Sequence, residues 1–541
     1  MKLTLLAIAG GSLAISAAVS GAAQIPLEMT RRSTSPPSFA HLLNDGNDYL
    51  DASLHNPKFQ VQGQYSARYT VQSSLPDSLP SGCAVTLVNS LERHGARYMT
   101  NGSLKSAKAT LAKIKASLSA SGVDAKKLPK ELRFLAAEEL PLLTSTADLV
   151  PYGALQSYLS GRFTAQHYPD LAESSSAFVR TTGTEESDRV IVTAKYWALG
   201  FSGQPFPSLP LTDGATTRNA VAGGPQPNVV ISEASGQNNT LDVSTCRNDE
   251  DLNGEDDAIA AYGASTLMPR IGSRLEKAFN KAGASINLTT SDITSLGALC
   301  PFETLARANV TESGQLDLDV SPYCSVLRDD EWPLYGYAVD AGKYYGSGYG
   351  DPYHRGIATG YLRELLARLT GGRPVIDTPS AINTTLDGSE STFPSTPAGK
   401  DGNAPRIYFD GTHDNNASPI AAAFGLFSSP GNLSLAADAQ DTREGRNRAW
   451  RFSRIAPLQG KLVWERVECK AQRGNVEPAR YVRVRANEAV QQAKSAPWCP
   501  AAKNASSEDR KRIEAGLCPL DAVVRGLDWV KSGDEWAKCF T

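Results

Sequence analysis

Hydrophobic residues follow two patterns along most of this chain, one typical of buried strands and one typical of helices. Short apolar runs that end in polar residues predict buried strands at 84–88, 177–179, 229–231, 406–410, 461–467 and 480–485. Apolar positions at helical spacing predict helices at 105–118, 136–162, 188–199, 256–282, 355–370 and 416–427, and a loop rich in Pro, Gly, Ser and Thr at 374–405. This alternation predicts an α/β fold: a mixed central sheet flanked by helices, with a smaller, mostly α-helical cap domain built from roughly 105–175 and 240–340.

Composition narrows the class of protein. The chain has 541 residues, of which 41% are hydrophobic and 21% are charged, as in ordinary globular proteins. A formal net charge of -3 argues against a general nucleic-acid binder.

The first 23 residues have the pattern of a secretory signal peptide, which would leave 24–541 as the mature chain. Lys2 precedes an apolar stretch over 3–19, and small residues follow at 21–23. An uncleaved membrane anchor is the alternative, but the stretch is short and broken by Gly and Ser. With no later stretch long enough to span a membrane, we expect a secreted, extracellular protein without a membrane partner.

Cysteines and glycosylation sequons agree with that compartment. Eight cysteines predict four disulfides, and the lack of a C-x-x-C spacing disfavours a zinc site. Pro419 closely follows one of the sequons and makes it doubtful. The eight N-x-S/T sequons begin at Asn101, Asn238, Asn287, Asn309, Asn383, Asn416, Asn432 and Asn504.

Candidate chemistry lies where three of the predicted strands end. Arg93 and Arg97 flank His94 after the first strand, Arg180 follows the second, and a His413-Asp414 pair follows the strand at 406–410. Guanidinium groups match phosphate oxygens in charge and shape, and an imidazole can be a covalent nucleophile. Ligands bind outside the carboxyl ends of strands in open α/β sheets, so these residues predict a phosphate-ester site.

Each cluster also has an ordinary structural interpretation. The His94 segment alone could be a surface loop with two solvated arginines, and Asp414 could be a helix N-cap beside an incidental histidine. Asp188 and Arg189 are expected to cap the next helix and to pair locally.

Taken together, the motifs resemble those of the histidine acid phosphatases, specifically the secreted fungal phytase branch. The family motif R-H-G-x-R-x-P matches 93–99 except at its last position, and the later H-D motif matches His413-Asp414. Further similarity, in chain order, lies at 178–183, 187–191, 233–242, 343–346, 523–527 and near the C-terminus.

The resemblance implies roles for the candidate residues. His94 is expected to attack phosphorus and form a phosphohistidine, and Asp414 is expected to protonate the leaving oxygen. Because that carboxyl must carry a proton, activity should favour acidic pH. No metal or cofactor is expected, because the positive charge at the phosphoryl group would come from side chains. The expected substrate-binding residues are Arg93, Arg97, Arg180 and His413.

The resemblance also implies a disulfide pattern. Cysteine spacing alone leaves roughly a hundred pairings open. The family pattern would join Cys83 with Cys469, Cys246 with Cys539, Cys300 with Cys324, and Cys499 with Cys518.

Two departures from the family concern the loop after the nucleophile. Met99 replaces the motif proline, which puts the stiffness of the loop in question. Only Lys105 and Lys108 follow nearby, where phytases often carry more lysines for a substrate with many phosphates.

The function implied is a secreted acid phosphomonoesterase of phytase type, acting on myo-inositol hexakisphosphate. A broad-specificity acid phosphatase and a non-catalytic secreted glycoprotein of the same fold are the alternatives.

Overall fold

The computed structural model describes residues 56–136, 147–184, 188–207, 209, 214–234, 239–250, 252–310, 316–372, 405–470, 478–500 and 506–541. The predicted signal peptide and all but the last residue of the predicted 374–405 loop lie outside these ranges.

A mixed sheet of eight strands forms the centre of the protein, in the order β10-β8-β7-β1-β6-β2-β3, with β9 paired to β8. The neighbours β1, β6, β2 and β3 are parallel, whereas β7, β8 and β10 extend the sheet in antiparallel fashion. A separate pair, β4 and β5, lies apart. The strands are β1 Cys83–Arg93, β2 Phe178–Gly183, β3 Val229–Ser232, β4 Asn309–Val310, β5 Leu316–Asp317, β6 Ile407–Thr412, β7 Lys461–Cys469, β8 Ala479–Ala486, β9 Ala489–Val490 and β10 Leu517–Pro519.

In the described ranges, ten α-helices of eight residues or more connect and cover these strands. They are α1 Asn101–Ala120, α2 Pro151–His167, α3 Arg189–Phe201, α4 Gly254–Tyr262, α5 Ser273–Ala282, α6 Thr290–Arg307, α7 Trp332–Ser347, α8 His354–Thr370, α9 Asp414–Phe424 and α10 Ser507–Glu514. Shorter helices are Pro169–Ser174, Gly214–Asn219, Arg247–Glu250, Arg443–Arg446, Phe452–Ile455, Leu520–Gly526 and Asp534–Ala537.

Both faces of the sheet are covered, which explains why its strands are apolar on both sides. Leu87 and Leu91 of β1 join an apolar cluster with α8 and α9, whereas Val88 packs with α3 on the opposite face. Side chains alternate between the faces of a strand, so each face of β1 buries its own helical layer. The predicted α/β architecture is confirmed.

One predicted helix is interrupted. The segment predicted as continuous over 256–282 consists of α4, a π-helical segment Gly263–Gly272 and α5. Pro269 lies inside the π-helical segment, and a proline has no N–H to donate to the helical ladder.

The two segments predicted to form the cap share one apolar core. Leu111 of α1 and Leu155 of α2 belong to the same cluster as Phe279 of α5 and Leu299 of α6. That cluster also includes residues of α7, and the boundaries of a separate cap domain stay a prediction.

All eight cysteines are paired. The bonds join Cys83 to Cys469, Cys246 to Cys539, Cys300 to Cys324 and Cys499 to Cys518, the same pairs that the resemblance implies. The first of these links the start of β1 to the end of β7, where the two residues are direct partners in the sheet. Among the described residues, no helix is both long and apolar enough to cross a membrane.

Candidate active site

Loops at the carboxyl ends of the parallel strands carry the candidate residues. His94 follows the last residue of β1, His413 follows β6, and Glu233 follows β3. Because β1 and β6 are adjacent and in register up to the Arg93–Thr412 pair, the two histidine motifs leave the sheet side by side. The rings of His94 and His413 have centroids 5.6 Å apart.

His94 is held as a neutral imidazole with one nitrogen available. Its Nδ1 lies 2.9 Å from the Gly95 carbonyl oxygen, which can only accept, so Nδ1 carries the proton and Nε2 keeps its lone pair. The side chain is buried, and burial together with Arg189, Arg93 and Arg97 holds the pKa of His94 well below its usual value. A neutral Nε2 is the form that can act as a nucleophile.

Helices α2 and α3 fix the loop that carries His94. The backbone N–H of Gly95 donates to Thr193 Oγ1 at 3.0 Å, and that of Ala96 donates to Gln156 Oε1 at 3.0 Å. A Cβ atom on Gly95 would lie 2.4 Å from the carbonyl oxygen of Gly153, so only glycine permits this approach to α2.

The loop is ordered by pairing with the segment before α2. Tyr98 donates to the Asp148 carbonyl, and the carbonyls of Met99 and Ala96 accept from Ala147 and Val150. The side chain of Met99 is buried in the core. The loop therefore has its own restraints without the motif proline.

Three arginines lie close to His94, and nearby carboxylates compensate their positive charge only in part. Arg93 and Arg97 are buried, and Arg189 is partly buried. Burial lowers the pKa of Arg93, Arg97 and Arg189, and for Arg97 the neighbouring Arg189 and Arg93 lower it further. Among the described residues, nothing accepts a hydrogen bond from the buried Nε of Arg97. Such a group of guanidinium ions favours binding of a multiply charged anion.

Arg180 is not part of this group, which corrects the expectation from the sequence. It is the third residue of β2 and is in register with Asp410 of β6, so its side chain enters the interior and not the sheet edge. There Nε donates to Asp410 at 2.7 Å and Nη2 donates to Glu364 at 2.9 Å. Burial opposes the charge, but these carboxylates outweigh it and raise the pKa of Arg180.

Arg189 occupies the place expected for Arg180. It is the first residue of α3, and its Nη2 lies 3.2 Å from Nδ1 of His413. Because a guanidinium can only donate, this nitrogen of His413 accepts, and Nε2 donates to Glu233 Oε1 at 2.9 Å. Asp188 is the N-cap residue of α3, but its side chain makes no capping hydrogen bond, so the expected cap was wrong. Its carboxylate pairs instead with Arg218, which lies 30 positions further along the chain.

Asp414 is the first residue of α9 and lies between cations. One carboxylate oxygen is 3.2 Å from Arg93 Nη2, and the other is 3.4 Å from Lys343 Nζ. Burial alone would raise the pKa of Asp414, but Arg93, Lys343 and Arg97 hold it well below its usual value. The carboxyl group is therefore ionised in the empty site, even at mildly acidic pH.

These side chains border a cavity of about 330 Å³. His94 and Arg93 are not among its lining residues, and each has 1% of its surface exposed. The lining residues are Gln64, Tyr65, Arg97, Thr100, Ser103, Arg189, Glu233, Asp242, Glu255, Lys343, His413, Asp414 and Asn415.

Comparison with known proteins agrees with this site. The sequence matches the profile of the histidine phosphatase superfamily (branch 2) over residues 84–487. The chain belongs to this family.

Similar proteins include phytase A of Aspergillus oryzae, 33% identical over 480 residues, and phytase A of Aspergillus fumigatus, 32% identical over 483 residues. Each alignment covers 88% of this chain and 90% of the relative. Among solved structures, the phytase from D. castellii has the same fold, with a TM-score of 0.58, 18% identity and 92% of each chain covered. A multiple inositol polyphosphate phosphatase of Bifidobacterium longum, in complex with inositol hexasulfate, has a TM-score of 0.50 at 15% identity, covering 85% of this chain and 96% of that chain.

In this histidine phosphatase, three acidic residues, called the acidic wall below, also line the cavity. They are Glu233, Asp242 and Glu255, and burial raises the pKa of Asp242. Lys343 donates to Glu255 at 2.8 Å and to the Asn415 side-chain oxygen at 2.6 Å.

The two lysines noted in the sequence after the His94 motif do not line the active-site cavity. Lys105 and Lys108 are exposed on α1, and neither is among the lining residues. Lys343, which sequence reasoning left without a role, lines the cavity instead. Although burial lowers the pKa of Lys343, Glu255 and Asp414 more than offset that effect and raise it.

Glu233, Asp242 and His413 also have the geometry of a possible cation site, since their ligand atoms lie within 4.8 Å of one another. Both ring nitrogens of His413 are already engaged, one by Glu233 and the other by Arg189. The expectation of metal-independent chemistry stays a prediction.

Proposed function

We propose that this protein is an acid phosphomonoesterase of phytase type that releases orthophosphate through a phosphohistidine. The observation that carries the proposal is a neutral, buried His94 beneath three arginines whose charges are only partly compensated. Positive charges that are only partly compensated before substrate binds are stabilised when a negatively charged phosphoryl group binds between them. Phosphoryl transfer requires such stabilisation of negative charge.

The first chemical step forms a P–N bond and breaks a P–O bond. His94 Nε2 attacks phosphorus, while Arg93, Arg97 and Arg189 bind the equatorial oxygens. His413 acts through Arg189, because its Nδ1 accepts from Arg189 and its Nε2 donates to Glu233. The leaving oxygen takes a proton from Asp414 and departs as the alcohol. In the second step water attacks the phosphohistidine, Asp414 takes a proton from that water, and orthophosphate and neutral His94 are released.

The proton on Asp414 has to arrive with the substrate. The free carboxyl is ionised because its pKa is lowered, and the second pKa of a phosphate monoester is about 6. Below that pH the ester binds as a monoanion and brings one proton into a site where bound phosphate offsets the arginine charge. Acidic pH then favours the reaction through the substrate, although the carboxyl itself titrates far lower.

This origin of the proton predicts a substrate-dependent pH profile. With esters whose second pKa values differ by about one unit, the basic limb of kcat/KM should shift by about the same amount. Above each pKa, kcat/KM should fall about tenfold per pH unit. Steady-state kinetics from pH 3 to 8 on two such esters would check this. A basic limb at one pH for both esters would assign it to a group of the enzyme and contradict the scheme.

Replacing Asp414 by asparagine should separate poor from good leaving groups. Inositol alcohols need a proton to leave, so phytate hydrolysis should fall about 100-fold. Release of p-nitrophenolate needs little protonation and should fall less than about tenfold. The matched control is Asp521→Asn, since Asp521 forms an exposed pair with Arg525 and is not among the lining residues. Equal losses on both esters in Asp414→Asn would contradict the general-acid role.

The acidic wall supports a second candidate, a broad acid phosphatase that prefers small esters. Glu233, Asp242 and Glu255 line the cavity, where their negative charge would repel a substrate with many phosphates, and Lys343 is already bonded to Glu255. The ratio of kcat/KM for phytate to that for p-nitrophenyl phosphate at acidic pH separates the two. We expect a ratio above one; negligible phytate turnover would leave the broad phosphatase.

We further propose that the protein is secreted and loses residues 1–23. Four disulfides support an oxidising compartment. N-terminal sequencing of protein from the culture medium should begin at Gln24.

A further inference from the structure

One glycosylation sequon lies at the mouth of the active-site cavity. Asn101 is the first residue of α1, and Thr100 and Ser103, on either side of it, both line the cavity. The sequon is Asn101-Gly102-Ser103, so the modification signal and the cavity wall share a residue.

The surroundings of Asn101 leave room for an oligosaccharide. Asn101 and Gly102 are exposed, and a Cβ atom built on Gly102 would meet nothing within 4 Å. The Cα–Cβ bonds of an α-helix tilt toward its N-terminus. A side chain at the first position of α1 is therefore directed toward the end of the helix that borders the cavity.

A different sequon shows that not every one can be used. Asn416 is 2% exposed; its Oδ1 accepts from the Val243 backbone at 3.3 Å, and its Nδ2 donates to the Thr240 carbonyl at 2.9 Å. The side-chain nitrogen of Asn416 is therefore buried and hydrogen-bonded, and it is not accessible for glycosylation in the folded protein. The fold therefore leaves the asparagine of one sequon, Asn101, exposed and buries that of another, Asn416.

Because the cavity is small, a glycan on Asn101 at its mouth would affect the binding of large substrates. At about 330 Å³ the cavity is near the lower end for ligand pockets, and it is enough for one phosphoryl group and a small alcohol. An inositol ring with five further phosphates has to extend past the mouth. An N-linked glycan is bulky and hydrated, so it would occupy the space that this larger substrate needs.

We propose that Asn101 is N-glycosylated and that its glycan narrows the mouth of the cavity, so that multiply phosphorylated substrates bind less well than they would without the glycan. The inference rests on the proposed secretion and phosphatase function. It adds a modification site and assigns that site a role in substrate selection.

The test compares the secreted protein with Asn101→Gln and with Asn287→Gln, a control at an exposed sequon that does not line the cavity. Peptide mass spectrometry, before and after enzymatic deglycosylation, should find a glycan on Asn101. Phytate affinity, measured by calorimetry with His94→Ala in each protein to prevent turnover, should rise about fivefold in Asn101→Gln. It should stay unchanged in Asn287→Gln.

Deglycosylation of the folded protein separates the glycan from the residue change. It should raise phytate affinity in the protein that has Asn101 and leave that of Asn101→Gln unchanged. Unmodified Asn101, or equal phytate affinity with and without its glycan, would overturn the proposal. Failure of the phosphatase function would appear separately, as absent turnover of p-nitrophenyl phosphate in all proteins that retain His94.

Discussion

Replacing His94 with alanine should lower kcat for every phosphate ester by at least about 10⁴-fold, because the variant lacks the Nε2 that we propose forms the covalent intermediate. His94 Nε2 has its lone pair available, and the surrounding arginines are arranged to hold the phosphoryl group that it attacks. Rapid quenching with radiolabelled ester should give an acid-labile, alkali-stable label on the wild type. The label should be absent from His94→Ala.

Another histidine provides the matched control. His167 is stacked on Phe163 with ring centroids 5.0 Å apart and does not line the cavity. His167→Ala should retain both the label and the activity. Thermal melting of each variant reports whether the protein has folded. A folded His94→Ala protein that still acquires the label, or keeps activity within about tenfold of wild type, would mean that another residue is the nucleophile.

The sequence was sufficient to place the two histidine motifs together. His94 and His413-Asp414 each follow a short buried run, and the carboxyl ends of adjacent parallel strands meet at one edge of a sheet. The pairing of β1 with β6 joins residues more than 300 positions apart, as the Val88–Ile407 register shows. The local hydrophobic pattern predicted both strands. That the two strands meet was indicated only by the residues after them, which suit the same phosphate-ester chemistry.

The same reasoning failed for the third arginine because it relied on the end of a strand. Arg180 closes an apolar run in the sequence, yet β2 continues to Gly183, and the register with Asp410 directs Arg180 into the interior. Arg189 begins a helix, and the free N–H groups of a helix N-terminus favour anions. That signal was present in the sequence, but it is common to many helices.

The contact between Glu255 and Lys343 could not be predicted from the sequence. Glu255 lies in α4 and Lys343 lies in α7, and their contact depends on how these helices pack. Neither residue follows a predicted strand, and each has the ordinary appearance of a charge on a helix surface. The charges that Glu255 and Lys343 bring to the cavity are therefore revealed only by the tertiary structure.

The two arginines should give opposite results when each is replaced by methionine. In Arg180→Met, Asp410 and Glu364 would lose a buried partner, which should destabilise the fold by about 3–5 kcal/mol and lower the melting temperature by several degrees. In Arg189→Met, the loss of one phosphate-binding group should lower kcat/KM by about 10²–10³-fold.

The sign of the stability change in Arg189→Met follows from its pKa. Burial lowers the pKa of Arg189, so its charge is disfavoured in the folded, empty site, and removing it should cost little stability. The same reasoning predicts that orthophosphate raises the melting temperature of the wild type more than that of Arg189→Met, because the anion compensates the arginine charge. Melting curves with and without phosphate, measured beside kcat/KM, would check both variants. A stable but inactive Arg180→Met protein, together with an active Arg189→Met protein, would contradict this assignment. Arg180 would then be the substrate-binding residue, as the sequence predicted, and Arg189 would have no role in catalysis.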